Sequence, residues 1–342
     1  MATQETQQLD RIIASRRAML LGGGAAVAAL AMPSTAKAAS TVTTYGDTDI
    51  LNFALNLEYL EANFYYLAAF GTTIDIGNGL SNSAGALQLA LTGSGTQGKV
   101  TVKNNPQVPF VDPRVKAYAI ETAVEEGKHV NFLRTALGGA AVAQPAIDLL
   151  NSFNGLAAKA GIGAAFDPFA SDANFLVGAY IFEDVGVTAY SGAAPLISTT
   201  AQGKTYLAAA AGILAVEGYH AGLVRSTINA LDPTGSLGYI GYTNQISAAR
   251  ASLSKAVAPS TTSPLDTSPD DTPLTPGTTM VSLAGAASVT STTIADADLT
   301  NVIAFARTTT QVLNIVTAGG AASTGVKATG GFFPSGLNGL FS

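Results

Sequence analysis

The chain has 342 residues, 47% of them apolar and only 12% charged, with a formal net charge of −6. That supplies one substantial core and offers no basic stripe for a nucleic acid. No cysteine is present, which excludes disulfides, iron–sulfur clusters, thiolate zinc sites and cysteine nucleophiles.

Residues 1–38 read as an address. Ser15-Arg16-Arg17-Ala18-Met19-Leu20 is a twin-arginine pattern, and the apolar stretch from Ala18 to Met32 that follows is short for a bilayer span. Ala36-Lys37-Ala38 supplies small residues for a cut after Ala38. The expectation is export to the periplasm or beyond, with the membrane involved only in passage.

Residues 39–235 contain four helical patterns. The first runs from Thr48 to Phe70, where Ile50, Leu51, Ala54, Leu57, Leu60, Phe64 and Leu67 recur at helical spacing until Gly71. Residues 71–111, rich in Gly, Ser, Thr and Asn, read as loop. Pro113 opens a second helix that runs to Leu137, ahead of Gly138-Gly139. A long crossing segment, 140–170, is expected to hold a short helix near Ala146–Ala158. The third helix spans Asp172 to Ala193 and the fourth Lys204 to Leu231, before Pro233. Two helical hairpins joined by a long crossover give an all-α, ferritin-like four-helix bundle with a long B–C connection. Residues 236–278 read as a Pro/Ser/Thr-rich linker or arm, and 279–342 as an irregular C-terminal extension wrapping the bundle.

The chemistry lies in the rarest residues. The chain has two histidines, His129 and His220, each with a glutamate three positions earlier, in Glu126-Gly127-Lys128-His129 and Glu217-Gly218-Tyr219-His220. Three positions apart on a helix is one face, so each pair can reach one ion. Outside residues 1–38, glutamate occurs only at 58, 61, 121, 125, 126, 183 and 217, all within the four helices. Glu183 and Glu217 stand in apolar runs where an unpaired carboxylate would cost several kcal/mol, and few Lys or Arg lie near enough in sequence to help.

An internal repeat assigns the rest. The Glu-x-x-His segments of the second and fourth helices superpose, each followed five residues later by Arg134 or Arg225, read as end-of-helix charges favouring the dipole. The first and third helices superpose as Leu57-Glu58…Tyr65 over Phe182-Glu183…Tyr190, which places Glu61 opposite Gly186. Glu58 is therefore preferred over Glu61 as the first-helix ligand. The expected set is Glu58, Glu126, His129, Glu183, Glu217 and His220, with Glu126 and Glu217 bridging two ions. Tyr65, Tyr190, Glu61 and Glu125 are candidates for an outer shell; plain core tyrosines are the equal competing reading for the first two, and solvated helix positions are favoured for Glu61 and Glu125. Four carboxylates balance two divalent cations, and oxygen donors with two imidazoles suit iron or manganese without separating them, zinc being less natural.

Asn56-Leu57-Glu58-Tyr59-Leu60-Glu61-Ala62, the two Glu-x-x-His pairs and Phe182-Glu183-Asp184-Val185-Gly186 resemble the ferritin-like domain family that includes the plant desiccation-related proteins. Phe305-Ala306-Arg307-Thr308, Gln311 to Val316 and Gly331-Phe332-Phe333-Pro334 resemble that family's C-terminal region. The resemblance implies a bundle with a di-metal site. The leading functional expectation is redox chemistry on dioxygen, peroxide or Fe(II) in stress protection, ferroxidase- or catalase-like. The competing one is a non-catalytic desiccation- or stress-protective protein with a structural metal or none. The partners expected are metal ions and a small oxidant, with a homodimer left open.

Overall fold

A computed structural model describes residues 45–76, 85–257, 271–275, 279–281, 289–291, 294–298, 301–320 and 327–341. The twin-arginine segment and most of the Pro-rich stretch lie outside these residues. Seven α-helices dominate the described chain: α1 Asp47–Phe70, α2 Pro113–Leu137, α3 Asn151–Ala160, α4 Asp172–Ala193, α5 Ala201–Leu231, α6 Tyr239–Ala256 and α7 Thr309–Val316. Among the described residues, strand is confined to two short pairs, the parallel β1 Val100–Thr101 with β2 Ile147–Asp148 and the antiparallel β3 Thr279–Val281 with β4 Val289–Ser291.

Local chemistry sets the helix ends. The Asp49 carboxylate accepts the Gly46 N–H at 2.9 Å, and Asp47 and Asp49 sit in the first turn of α1, where the helix dipole favours negative charge. That helix stops at Gly71, whose φ of 72° is left-handed. Asp112 caps α2 by accepting the Arg114 N–H, with Pro113 at the first position. Ser171 caps α4 and Thr200 caps α5.

α1 is buried around nearly its whole circumference, from Ile50 to Ala69 apart from Ala54. It packs along α2 and against α4, while α4 packs along α5. The β1–β2 pair ties the loop after α1 to the crossover that leads into α3 and α4. One end of the core is aromatic: Phe64 meets Phe153, Phe169, Phe175 and Phe182, and the Phe182 and Phe332 rings lie 4.9 Å apart. Phe332 brings the C-terminal segment into that cluster, whose large rings bury much of the apolar area.

Two expectations change here. The stretch 236–278 is not all linker, because α6 occupies Tyr239–Ala256 and buries Ile240, Thr243, Ile246, Ser247, Arg250, Leu253 and Ser254 against the bundle. Arg225 is no end-of-helix charge: it lies six residues inside α5, 1% exposed, and donates to Asp184 at 2.9 Å. Arg250 of α6 joins it, donating to Asp184 at 2.9 Å and to both Asp271 oxygens at 2.6 and 2.8 Å. Arg307 completes the cluster on Asp271 at 2.9 Å. Buried charges need such pairing, and here it joins α4, α5 and α6 to the C-terminal residues. Arg134 is in the last turn of α2, but its guanidinium donates to the Tyr59 hydroxyl and to the Thr92 carbonyl.

Described residues of the C-terminal segment contact the bundle helices. The Arg307 N–H donates to the Thr188 carbonyl at 3.0 Å, and a Cβ on Gly192 would stand 1.9 Å from the Arg307 carbonyl oxygen. Only glycine permits that approach. Further on, Asn338 and Asn56 exchange backbone and side-chain hydrogen bonds at 2.9 and 3.0 Å.

Candidate metal centre

Each of the four bundle helices delivers carboxylate or imidazole to one buried locus. Glu58 comes from α1, Glu126 and His129 from α2, Glu183 from α4, and Glu217 and His220 from α5. Glu58, Glu126, Glu183 and Glu217 are at most 1% exposed. His129 Nδ1 stands 3.4 Å from Glu58, 3.5 Å from Glu126 Oε2 and 3.9 Å from Glu217. His220 Nδ1 stands 3.1 Å from the other Glu126 oxygen, Oε1, and 3.5 Å from Glu183. Glu126 thus faces one histidine with each oxygen, and the imidazole centroids are 6.5 Å apart.

Two overlapping ligand groups result. Glu58, Glu126, His129 and Glu217 surround one point, and Glu183, Glu217 and His220 another, with Glu217 common to both. The six residues singled out in the sequence are all brought together. Glu58, not Glu61, is the α1 carboxylate in the first group.

Eight atoms of these six residues are buried without a hydrogen-bond partner: Glu58 Oε2, both oxygens of Glu126, His129 Nδ1, Glu183 Oε2, both oxygens of Glu217 and His220 Nδ1. Buried polar atoms are almost always satisfied, and orphaning so many at one point would be costly. Their donor chemistry, carboxylate oxygen plus imidazole nitrogen, fits divalent cations of the iron or manganese type. The residues therefore fit a metal centre.

The titration behaviour reflects the same crowding. Burial, reinforced by Glu126 and opposed by His129, pushes Glu58 up to about 7. Burial and the surrounding glutamates drive Glu61 and Glu217 well above the usual carboxylate range, and burial raises Glu183 too. Glu126 goes the other way, because His129 and His220 outweigh its burial. Burial alone would depress the imidazoles, yet Glu58 and Glu126 push His129 up to about 12, and Glu183, Glu125 and Glu126 raise His220.

The surrounding shell is ordered crosswise. The Tyr65 hydroxyl of α1 donates to Glu183 Oε1 on α4, and the Tyr190 hydroxyl of α4 donates to Glu58 Oε1 on α1. Each tyrosine holds the outer oxygen of a carboxylate and leaves the inner one free to turn toward an ion. Gly186 belongs to the same design: a Cβ there would lie 2.4 Å from Glu217 Oε2 and 3.5 Å from Glu61 Oε1. Glu61 is 7% exposed and makes no hydrogen bond or ion pair among the described residues.

Glu125 is the residue that sequence reasoning placed in solvent. It is about a third exposed, yet its Oε2 lies 2.8 Å from His220 Nε2, and that hydrogen bond holds its carboxyl below the usual range. The signal was its adjacency to Glu126, which sets it on the flank of α2 beside α5.

The fold and the site together define a helical protein with a paired carboxylate–histidine centre between two helical hairpins. Residues 46–230 match the family model described as a ferritin-like domain, and the chain belongs to that family. It is 29% identical over 216 residues to the desiccation-related protein PCC13-62 of Craterostigma plantagineum, a match covering 60% of this chain and 62% of that protein. It is 27% identical over 183 residues to the ferritin-like catalase Nec2 of Nesocodon mauritianus, covering 52% of each. The chain thus spans less than two thirds of either relative. No solved structure matches it significantly.

Proposed function

We propose that this is an exported di-metal carboxylate protein whose site takes two iron or manganese ions and performs redox chemistry on peroxide, dioxygen or Fe(II). The observation that carries the reading is the convergence of eight buried, unpartnered ligand atoms from four helices. Four ligand carboxylates carry the charge that two divalent ions would neutralise, which would remove the cost of burying them. When bound, such ions supply one-electron steps between M(II) and M(III). The chain's own residues supply the rest. Glu217, common to both ligand groups, and Glu126, which faces both histidines, would be shared between the ions, and Glu58 with His129 and Glu183 with His220 would hold one each. Tyr65 and Tyr190 hold Glu183 and Glu58 in orientation, and Gly186 leaves room for the second oxygen of Glu217. Near-complete burial keeps bulk water from the centre and admits only a small reactant. The twin-arginine pattern supports export of the folded, loaded protein to the periplasm.

The name of the Nesocodon relative favours peroxide as substrate, and that of the Craterostigma relative favours a protective role in desiccation, in which any metal here would be structural. One experiment separates them. Metal is quantified in the mature protein and in a Glu126→Ala/Glu217→Ala double variant, and both are assayed with peroxide and with Fe(II). About two ions per chain, lost in the variant, with many turnovers per site, is the expected result. Two ions without turnover would select the structural role, and no metal in either protein would sink both readings.

A further inference from the structure

The six ligands obey a two-fold internal symmetry that the next shell breaks. Glu125-Glu126-x-x-His129 on α2 repeats on α5 as Val216-Glu217-x-x-His220. The glutamates and histidines correspond, and the tyrosine hydrogen bonds cross between α1 and α4 in matching fashion. The residue before each bridging glutamate does not correspond: it is Glu125 on one side and Val216 on the other. Glu125 reaches across to His220 Nε2 at 2.8 Å. The position related to it by the internal symmetry is half-buried Val216, which carries no hydrogen-bonding group. No side chain among the described residues takes the corresponding place at His129, whose contacts all run through Nδ1 to Glu58, Glu126 and Glu217 and whose side chain is 12% exposed.

A carboxylate can only accept, so the Glu125 contact keeps a proton on His220 Nε2 and makes Nδ1, which faces Glu126 and Glu183, the nitrogen that would meet an ion. The same contact fixes the ring's rotation and makes it a stronger donor. His129 lacks such a carboxylate on its far side and is oriented only by the ligand carboxylates around its Nδ1. From this we infer that Glu125 makes the two metal positions unequal, the one held by His220 filling first and more tightly. The inference rests on the two-metal reading of the site and deepens it: the chain loads its ions in a fixed order, set by a positioning residue on the flank of α2.

The test is a stepwise Co(II) titration of metal-free protein, followed by absorption and calorimetry. Anomalous diffraction from crystals loaded with one equivalent then shows which position is filled. Wild type is expected to bind in two resolved steps, the first beside His220. Glu125→Leu should weaken that step by about 10–100-fold, the usual consequence of losing an outer-shell partner. Glu125→Gln, which keeps an acceptor but loses the charge, should fall between them, as a merely structural role would not require. Val216→Glu should strengthen the second step, and the Glu125→Leu/Val216→Glu pair should reverse the order, with the first ion beside His129. Two equal steps in wild type, first occupancy at His129, or a Glu125→Leu protein that binds as wild type does would each overturn the inference while leaving a two-metal site intact. Failure of the wild type to bind any Co(II) would instead overturn the metal reading, and the inference with it.

Discussion

Glu58 and Glu183 each spend one oxygen on a tyrosine of the other hairpin and keep the second free, so the hydroxyls of Tyr65 and Tyr190 decide which way the carboxylates point. Removing either hydroxyl leaves a buried oxygen without a donor, at a cost of about 1–3 kcal/mol to the fold. It also frees the ligand to rotate, which lowers metal affinity by about 10–100-fold. Tyr65→Phe and Tyr190→Phe should therefore retain the helical spectrum, melt earlier and surrender metal to a weaker chelator than wild type does. Unchanged chelator competition would show that the tyrosines are plain core residues. Gly186 makes a second, sharper case. Its would-be Cβ sits 2.4 Å from Glu217 Oε2, and Glu217 is the carboxylate common to both ligand groups. Gly186→Ala should displace that carboxylate and reduce metal content by at least one ion per chain, with circular dichroism close to wild type. Full occupancy in the variant would mean that Glu217 can bind from another rotamer. Both cases bear on what the sequence could disclose. The six ligands were legible because histidine is so rare and glutamate so confined, and because the repeat pairs Glu58 with Glu183. Glu125 was not, since a carboxylate on the flank of a helix looks solvated until the neighbouring helix is in place.

At the scale of elements, the four bundle helices were legible almost to the residue, with Gly71, Pro113, Gly138 and Pro233 marking boundaries that the structure keeps to within a few residues. α6 was missed for a physical reason. Its buried face has helical spacing but is half polar, with Thr243, Ser247, Arg250 and Ser254 among Ile240, Ile246 and Leu253. Hydrophobic periodicity is silent about such a helix. It is buried because Arg250 lies over the Tyr180 ring, 4.7 Å from its centroid, and bonds Asp184 and Asp271. The same cluster explains Arg225, which the repeat aligned with Arg134 but which faces Asp184 in the interior. Breaking a buried charge pair from one side is costlier than its net contribution, because the partner remains charged and desolvated. Arg250→Met should thus cost about 3–5 kcal/mol, read as a lower unfolding midpoint in urea. It should also expose the C-terminal segment to limited proteolysis, since Arg250 and Arg307 both donate to Asp271. A loss below about 1 kcal/mol would place the network among exposed pairs that contribute little.

For the whole molecule, the site couples folding to protons and metal together. In the metal-free chain, Glu58 is raised from 4.5 to about 7, Glu61 and Glu217 are driven well above the usual carboxylate range, and Glu183 is also raised, burial leading in each case. A carboxyl whose folded value is raised keeps a proton that the unfolded chain has released. Its contribution is complete below about 4.5 and is lost as pH climbs through the folded value. The histidines, raised above 6.5, add a loss of the same sign once pH passes that point. Glu126 is depressed and acts oppositely, but its window lies below 4.5, where acid protonates it. Between pH 5 and 8 the metal-free protein should therefore become less stable as pH rises. A divalent metal reverses the trend, because it binds the deprotonated ligands and its affinity grows as their protons leave. Stabilisation by a ligand follows RT ln(1 + [L]/Kd), about 4 kcal/mol at a thousandfold excess over Kd. Thermal unfolding of metal-free and Mn(II)-loaded protein at pH 5, 6, 7 and 8 should give midpoints that nearly coincide at pH 5 and diverge steadily above it, the metal-free one falling. If the metal-free midpoint rises across that range instead, the four carboxylates are ionised and compensated within the protein, and the centre has no need of cations to hold the four helices together.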